Sequence, residues 1–205
     1  MNPSRSTAAP GVGTPLGDLP PIPPPVMRAR DKVAPVSVWE ALGATMSADS
    51  RLISGEVVLP IGRLEFPLWE GPRLSMRQDC NKRGGRVLGD VGELSCAEVE
   101  IVKRLRRAGW DAYWYQAFRC GRERWRPYIW DAAPHPEGVR ALQASAGAGG
   151  GHPDIIGWSG DRIVALESKG PGDSLRPGQV AWFQRASAFG LTADELGIVE
   201  WTAAR

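Results

Sequence analysis

The sequence predicts an α/β (α+β) fold: a mixed central β-sheet flanked by helices, with a disordered proline-rich tail in front. Three observations predict it. From about Gly92 onward, stretches with helical apolar spacing alternate with short runs rich in β-branched and aromatic residues. Two such runs within residues 151–172 are separated only by a turn at Ser159-Gly160 or Gly160-Asp161, so they pair antiparallel as a hairpin. Nine prolines fall within residues 1–36, which sets that stretch apart from everything after it.

Each element follows from local chemistry. Residues 1–36 include Pro20-Pro-Ile-Pro-Pro-Pro25 and few large apolar side chains, too little to offset the entropy of ordering. A disordered or polyproline-like tail without a catalytic role is expected. Residues 37–91 read as an N-terminal extension, either a small subdomain or a loosely packed appendage. Within it Val38-Trp-Glu-Ala-Leu42 could open a short helix, Glu56-Val-Val-Leu59 and Arg63-Leu-Glu-Phe66 could be short strands, and Asn81-Lys-Arg-Gly-Gly-Arg86 reads as a flexible basic loop.

The main domain is expected over residues 92–205. A helix over residues 95–108 starts with Ser-x-x-Glu and stops at Gly109, and a strand follows over residues 110–118. An irregular segment, with an insertion at about residues 121–150, ends in Ala144-Ser-Ala-Gly-Ala-Gly-Gly-Gly151. After the hairpin come a helix over residues 177–188, opened by Pro177 and closed before Gly190, and a last strand over residues 197–201. A mixed sheet with a helix on each side accommodates this order with short connections.

Bulk properties narrow the function. At 205 residues the chain is long enough for one domain with a core plus an appendage. It has no run of 18 apolar residues and no charged-then-apolar leader, so the expectation is a cytoplasmic protein without a membrane partner. Cys80, Cys96 and Cys120 are odd in number and form no Cys-x-x-Cys pair, which argues against a disulfide framework and a structural zinc site. The net charge is only +2, but residues 101–130 hold eight basic residues against two acidic ones, interleaved with eight aromatics. Arg104, Arg107, Arg119, Arg122, Arg124 and Arg126 could contact phosphates, while Trp114, Tyr115 and Trp125 could offer stacking faces. A solvated helix face followed by an aromatic-rich strand would give the same composition.

The hairpin carries the chemistry. A turn at Ser159-Gly160 sets Asp154 opposite Ala165, and a turn at Gly160-Asp161 sets it opposite Glu167. Side chains alternate along a strand, so in both registers Asp154, Glu167 and Lys169 share one face; a three-residue loop would part the two carboxylates. Two close carboxylates repel unless one keeps a proton or a cation joins them, so the pair suits Mg²⁺, with Mn²⁺ as a possible substitute. Asp154 as a turn residue, Glu167 as an edge residue and Lys169 as its surface partner is the competing reading.

Two further polar residues lie on apolar helix faces. Glu98 shares the stripe of Leu94, Ile101, Val102, Leu105 and Ala108, pointing a carboxylate at the core, although a capping box with Ser95 would also explain it. Glu100 shares a face with Lys103, Arg104 and Arg107 and reads as a surface ion-pair partner. Gln179 precedes Trp182, Phe183 and Ala186 at helical spacing; it could bond to backbone or point at the site beside Glu167.

Pro153-Asp154 followed by Glu167-Ser168-Lys169 resembles the PD-(D/E)XK nucleases. The continuation Lys169-Gly-Pro-Gly-Asp-Ser-Leu175, with Gln179-Val-Ala-Trp182, resembles their VRR-NUC branch, the virus-type replication-repair nucleases. Residues 97–109 are similar to the first helix of archaeal junction resolvases, whose acid stands at Glu98. The resemblance covers roughly residues 92–201. It implies a restriction-endonuclease-like fold and a Mg²⁺-dependent DNA nuclease, with structure-specific cleavage in replication, repair or recombination as its finer form; a nucleic-acid-binding module that has lost the chemistry is the alternative. It further implies that Asp154, Glu167 and the carbonyl of Ser168 ligate the metal, that Glu98 completes the acidic shell directly or through water, that Lys169 acts on the attacking water, and that Gln179 is accessory. The implied partner is DNA, branched or single-stranded, with a homodimer possible. The insertion at residues 121–150 departs from the family pattern.

Overall fold

The computed structural model describes residues 36–53, 57–70, 87–89, 92, 94–115, 133–134, 138–139, 141–142, 151–192 and 194–204. The proline-rich tail up to residue 35, the basic loop at residues 81–86 and most of the 121–150 insertion lie outside these residues, as do Arg119, Arg122, Arg124, Trp125 and Arg126. The elements run α1 (Val38–Leu42), β1 (Thr45–Met46), β2 (Arg51–Ile53), β3 (Val57–Leu59), β4 (Ile61–Pro67), β5 (Val87–Leu88), β6 (Leu94–Ser95), α2 (Ala97–Arg107), β7 (Asp111–Trp114), β8 (Ile155–Ser159), β9 (Arg162–Lys169), α3 (Pro177–Ala188) and β10 (Leu196–Ala204).

Six strands form one mixed sheet in the order β1-β4-β10-β9-β8-β7. β7, β8 and β9 are antiparallel neighbours, whereas β10 runs parallel to both β9 and β4. A parallel pair needs a crossover, and α3 supplies it between β9 and β10. The expected mixed α+β architecture is therefore present. Among the described residues no helix is long and apolar enough to cross a membrane.

Both sheet faces are covered. On one, α1 and α2 pack Val38, Leu42, Ile101 and Leu105 over Val164, Leu166 and Val199. On the other, α3 packs Trp182, Phe183 and Ala186 over Ala165, Leu196 and Ile198. A fully buried side chain of this size contributes roughly 1.5–3 kcal/mol, so β9 and β10, apolar on both sides, are where the fold is anchored.

The structure corrects several sequence-based boundaries. Within residues 37–91, two strands belong to the main sheet: β4 pairs with β10 over seven residues, from Ile61↔Ile198 to Pro67↔Ala204, and β1 pairs with β4. α2 begins at Ala97 with Cys96 as its N-cap and no side-chain cap bond, so Ser95 and Glu98 form no capping box. Ser95 instead lies in β6, and its hydroxyl donates to Glu100 Oε1. Glu100 is buried rather than on the surface, and also accepts from Lys103 Nζ at 2.8 Å. The last strand extends past both expected ends. α1 and α3, by contrast, match the expected segments residue for residue.

Trp39 locks the N-terminal segment onto the sheet. Its indole lies against Gly62 of β4 and Gly197 of β10, where an added Cβ would sit 2.6 and 2.4 Å from ring carbons. Only glycine lets the ring approach so closely. Gly197→Ala should destabilise the fold by about 1–3 kcal/mol in chemical denaturation, the usual cost of overpacking. The loss should shrink in a Trp39→Leu background, where the clashing ring is gone.

Candidate active site

The hairpin adopts the Gly160-Asp161 turn. β8 and β9 pair from Ser159↔Arg162 to Ile155↔Leu166, the register that puts Asp154, one residue before β8, across from Glu167. The Ser168 amide donates to Asp154 Oδ2 at 3.2 Å, and the Tyr115 amide donates to the Asp154 carbonyl at 2.6 Å. Asp154 is thus fixed by β9 on one side and by the end of β7 on the other.

Glu167 and Lys169 point to the α3 face and are almost fully buried, 1% and 6% exposed. Lys169 Nζ donates to Glu167 Oε1 at 2.7 Å and to Gln179 Oε1 at 3.1 Å. Gln179 Nε2 donates to the same Glu167 oxygen, while its Oε1 also accepts from the Arg176 amide at 3.0 Å. Both alternatives for Gln179 are realised: it caps α3 and bonds within the site. An amide can do this because it carries an acceptor and two donors on one rigid plane.

The loop between β9 and α3 sets that geometry. Gly170-Pro171-Gly172-Asp173 closes a turn through the Asp173 amide and the Gly170 carbonyl at 3.0 Å. Proline sits second and glycine third, with φ +79° at Gly172, as a type II turn requires. Asp173 Oδ2 accepts from the Gly170 amide at 3.2 Å and braces the loop.

Electrostatics single out Glu167. Burial, and then the charge of Asp154, push the Glu167 carboxyl up to about 8, against a smaller lowering by Lys169. Glu167 Oε2 is buried and has no hydrogen-bond donor. A carboxylate oxygen without a donor, beside a second carboxylate that raises its affinity for positive charge, fits a proton or a metal ion. Asp154 and Glu167 could therefore hold a divalent cation between them. Ser168 is buried with its side chain on the opposite sheet face, and its hydroxyl is unpartnered.

Glu98 is placed differently. It is buried as its stripe position predicts, but α2 packs on the face carrying Val164 and Leu166, opposite Glu167 and Lys169. Among the described residues no three His, Cys, Asp or Glu side chains converge in a metal-holding group. Arg104 is committed elsewhere, donating to the Leu42 carbonyl at 3.0 Å with its guanidinium over the Phe66 ring. In the loop that enters β8, the His152 ring lies 4.5 Å from that of Tyr115, centroid to centroid.

Searches against protein-family models and against curated proteins found no match. The site therefore rests on its own geometry.

A cation entering between Asp154 and Glu167 must displace the proton held by Glu167. Binding of Mg²⁺ near pH 7 should release close to one proton per cation, falling to none well above pH 8; calorimetry in buffers of different ionisation enthalpy measures it. Because the folded-state value is raised, Glu167 favours folding most below its ordinary carboxylate range, and that contribution is lost as pH rises through about 8. Glu167→Gln should flatten the fall in melting temperature across that window.

Proposed function

We propose that this chain is a divalent-cation-dependent nuclease of the PD-(D/E)XK type that hydrolyses phosphodiester bonds in DNA. The observation that carries the reading is the convergence of Asp154, Glu167 and Lys169 on one sheet face, with Gln179 of α3 closing the group. The chain order α2-β7-β8-β9-α3-β10, with a β-hairpin bearing the acids and a crossover helix behind them, supports a restriction-endonuclease-like fold.

Each residue then has a task. Asp154 and Glu167, with the Ser168 carbonyl as the resemblance implies, would hold Mg²⁺ or Mn²⁺, which supplies positive charge to the phosphate and acidity to water. Lys169 spends two of its three N–H donors on Glu167 and Gln179, leaving one for the attacking water or a phosphoryl oxygen. As a cation it would stabilise the charge that accumulates on the oxygens of the pentacovalent phosphate. Gln179 would keep Lys169 and Glu167 in register. Glu98, on the helix that packs on the other face, would complete the acidic shell directly or through water, as the resemblance implies.

Asp154→Asn, Glu167→Gln and Lys169→Ala should each lower cleavage by about a hundredfold or more while the folded far-ultraviolet spectrum is retained. The assay is a panel of duplex, single-stranded and branched DNA with Mg²⁺ and with Mn²⁺. Cutting at the wild-type rate by the triple variant would overturn the reading. DNA binding by the wild-type chain without cleavage of any form would point to a binding module that keeps the fold.

A further inference from the structure

Beside the carboxylate pair lies a second feature that the proposed chemistry leaves unused. Tyr115 ends the segment that leaves β7, and His152 stands in the loop that enters β8. Their rings meet at 4.5 Å between centroids, inclined by 46°. Both residues are half-buried. Both are tied to the site by the backbone: the Tyr115 amide donates to the Asp154 carbonyl at 2.6 Å, and His152 precedes Asp154 by only the buried Pro153. Two aromatic rings are thereby brought together on the two chain segments that position Asp154.

A ring pair in the core needs no explanation beyond packing. This pair instead belongs to none of the three apolar clusters of the described residues and adjoins Asp154, which is itself only partly buried. Aromatic faces adjoining a phosphate-directed site are the chemistry that receives a nucleobase, because every base has a π-face and sits a few ångström from its own phosphate. We propose that the Tyr115–His152 pair is a stacking platform for the nucleobase adjoining the phosphate addressed by Asp154 and Glu167. The proposal rests on the nuclease reading for the identity of that phosphate. It makes the enzyme sensitive to the presence of a base next to the cut, without regard to which base it is, since stacking reads a face and not an edge.

The rings could instead serve only to clamp the Asp154 loop, and the experiment separates the two roles. The full chain is given an oligonucleotide cut at a mapped phosphate, and the same oligonucleotide with an abasic residue on either side of that phosphate. The platform predicts that the wild-type chain cuts the base-bearing strand about tenfold faster, the size of one stacking contact. Tyr115→Leu or His152→Leu should bring the preference close to unity, and Tyr115→Phe should retain it. Two separate positions keep the test open should one variant fold poorly. Absence of preference in the wild type, or variants that slow both strands equally, would overturn the platform while leaving the nuclease reading intact. In a second arm, an oligonucleotide carrying 2-aminopurine is titrated with protein in Ca²⁺. Quenching that is lost in His152→Leu, from a chain that cuts nothing in Mg²⁺ or Mn²⁺, would keep the platform and remove the nuclease reading. Absence of quenching in such a chain would overturn both.

Discussion

The structure depends on a buried acid–base pair that needs a third partner. Glu167 and Lys169 sit on the central strand β9 and are withdrawn from water, so each would carry a heavy desolvation penalty alone. Their mutual bond satisfies one oxygen of the acid and one donor of the base. Gln179 completes the arrangement by donating to the acid and accepting from the base at once. A hydrocarbon of similar volume would leave Lys169 and Glu167 each short of a bond, and a carboxylate in its place would bring another acid into the buried group. The polar triangle therefore ties the N-terminus of α3 to β9 and fixes where the crossover begins.

That tie is what leaves Glu167 Oε2 without a donor. The same burial that makes the pair structurally demanding raises the affinity of Glu167 for positive charge, and Asp154 across the hairpin raises it further. Structural cost and functional capacity arise from one arrangement: a buried acid with an unsatisfied oxygen, beside a second, partly buried acid. The Pro171-Gly172 turn and its Asp173 brace keep the loop that follows Lys169 short enough for α3 to deliver Gln179.

Much of the site was legible in the sequence because the hairpin is local. A two-residue turn and the alternation of side chains left few registers, and the preferred ones brought Asp154 and Glu167 to one face. α3 was legible for a similar reason: Pro177 and Gly190 punctuate it, and the spacing of Gln179, Trp182, Phe183 and Ala186 defines its buried side. The start of α2 was less so. Ser95 offers a hydroxyl suited to capping, yet pairing with β5 drew it into a strand, and Glu100, which its sequence neighbours mark as exposed, was covered instead and bonded by that hydroxyl.

The sequence by itself determined the hairpin, its shared polar face and the apolar stripes of α2 and α3, since these follow from periodicities of two and of 3.6 residues within continuous segments. Only the tertiary structure decided three other matters, each a contact between segments far apart in the chain. It placed α2, and with it Glu98, on the sheet face opposite Glu167. It recruited β4 to β10 through the Trp39 ring packed on Gly62 and Gly197, which a reading of residues 37–91 alone could not reveal. It also brought Tyr115 and His152 together beside Asp154 across 37 residues of chain, a juxtaposition set by the pairing of β7 with β8 and invisible to any local pattern.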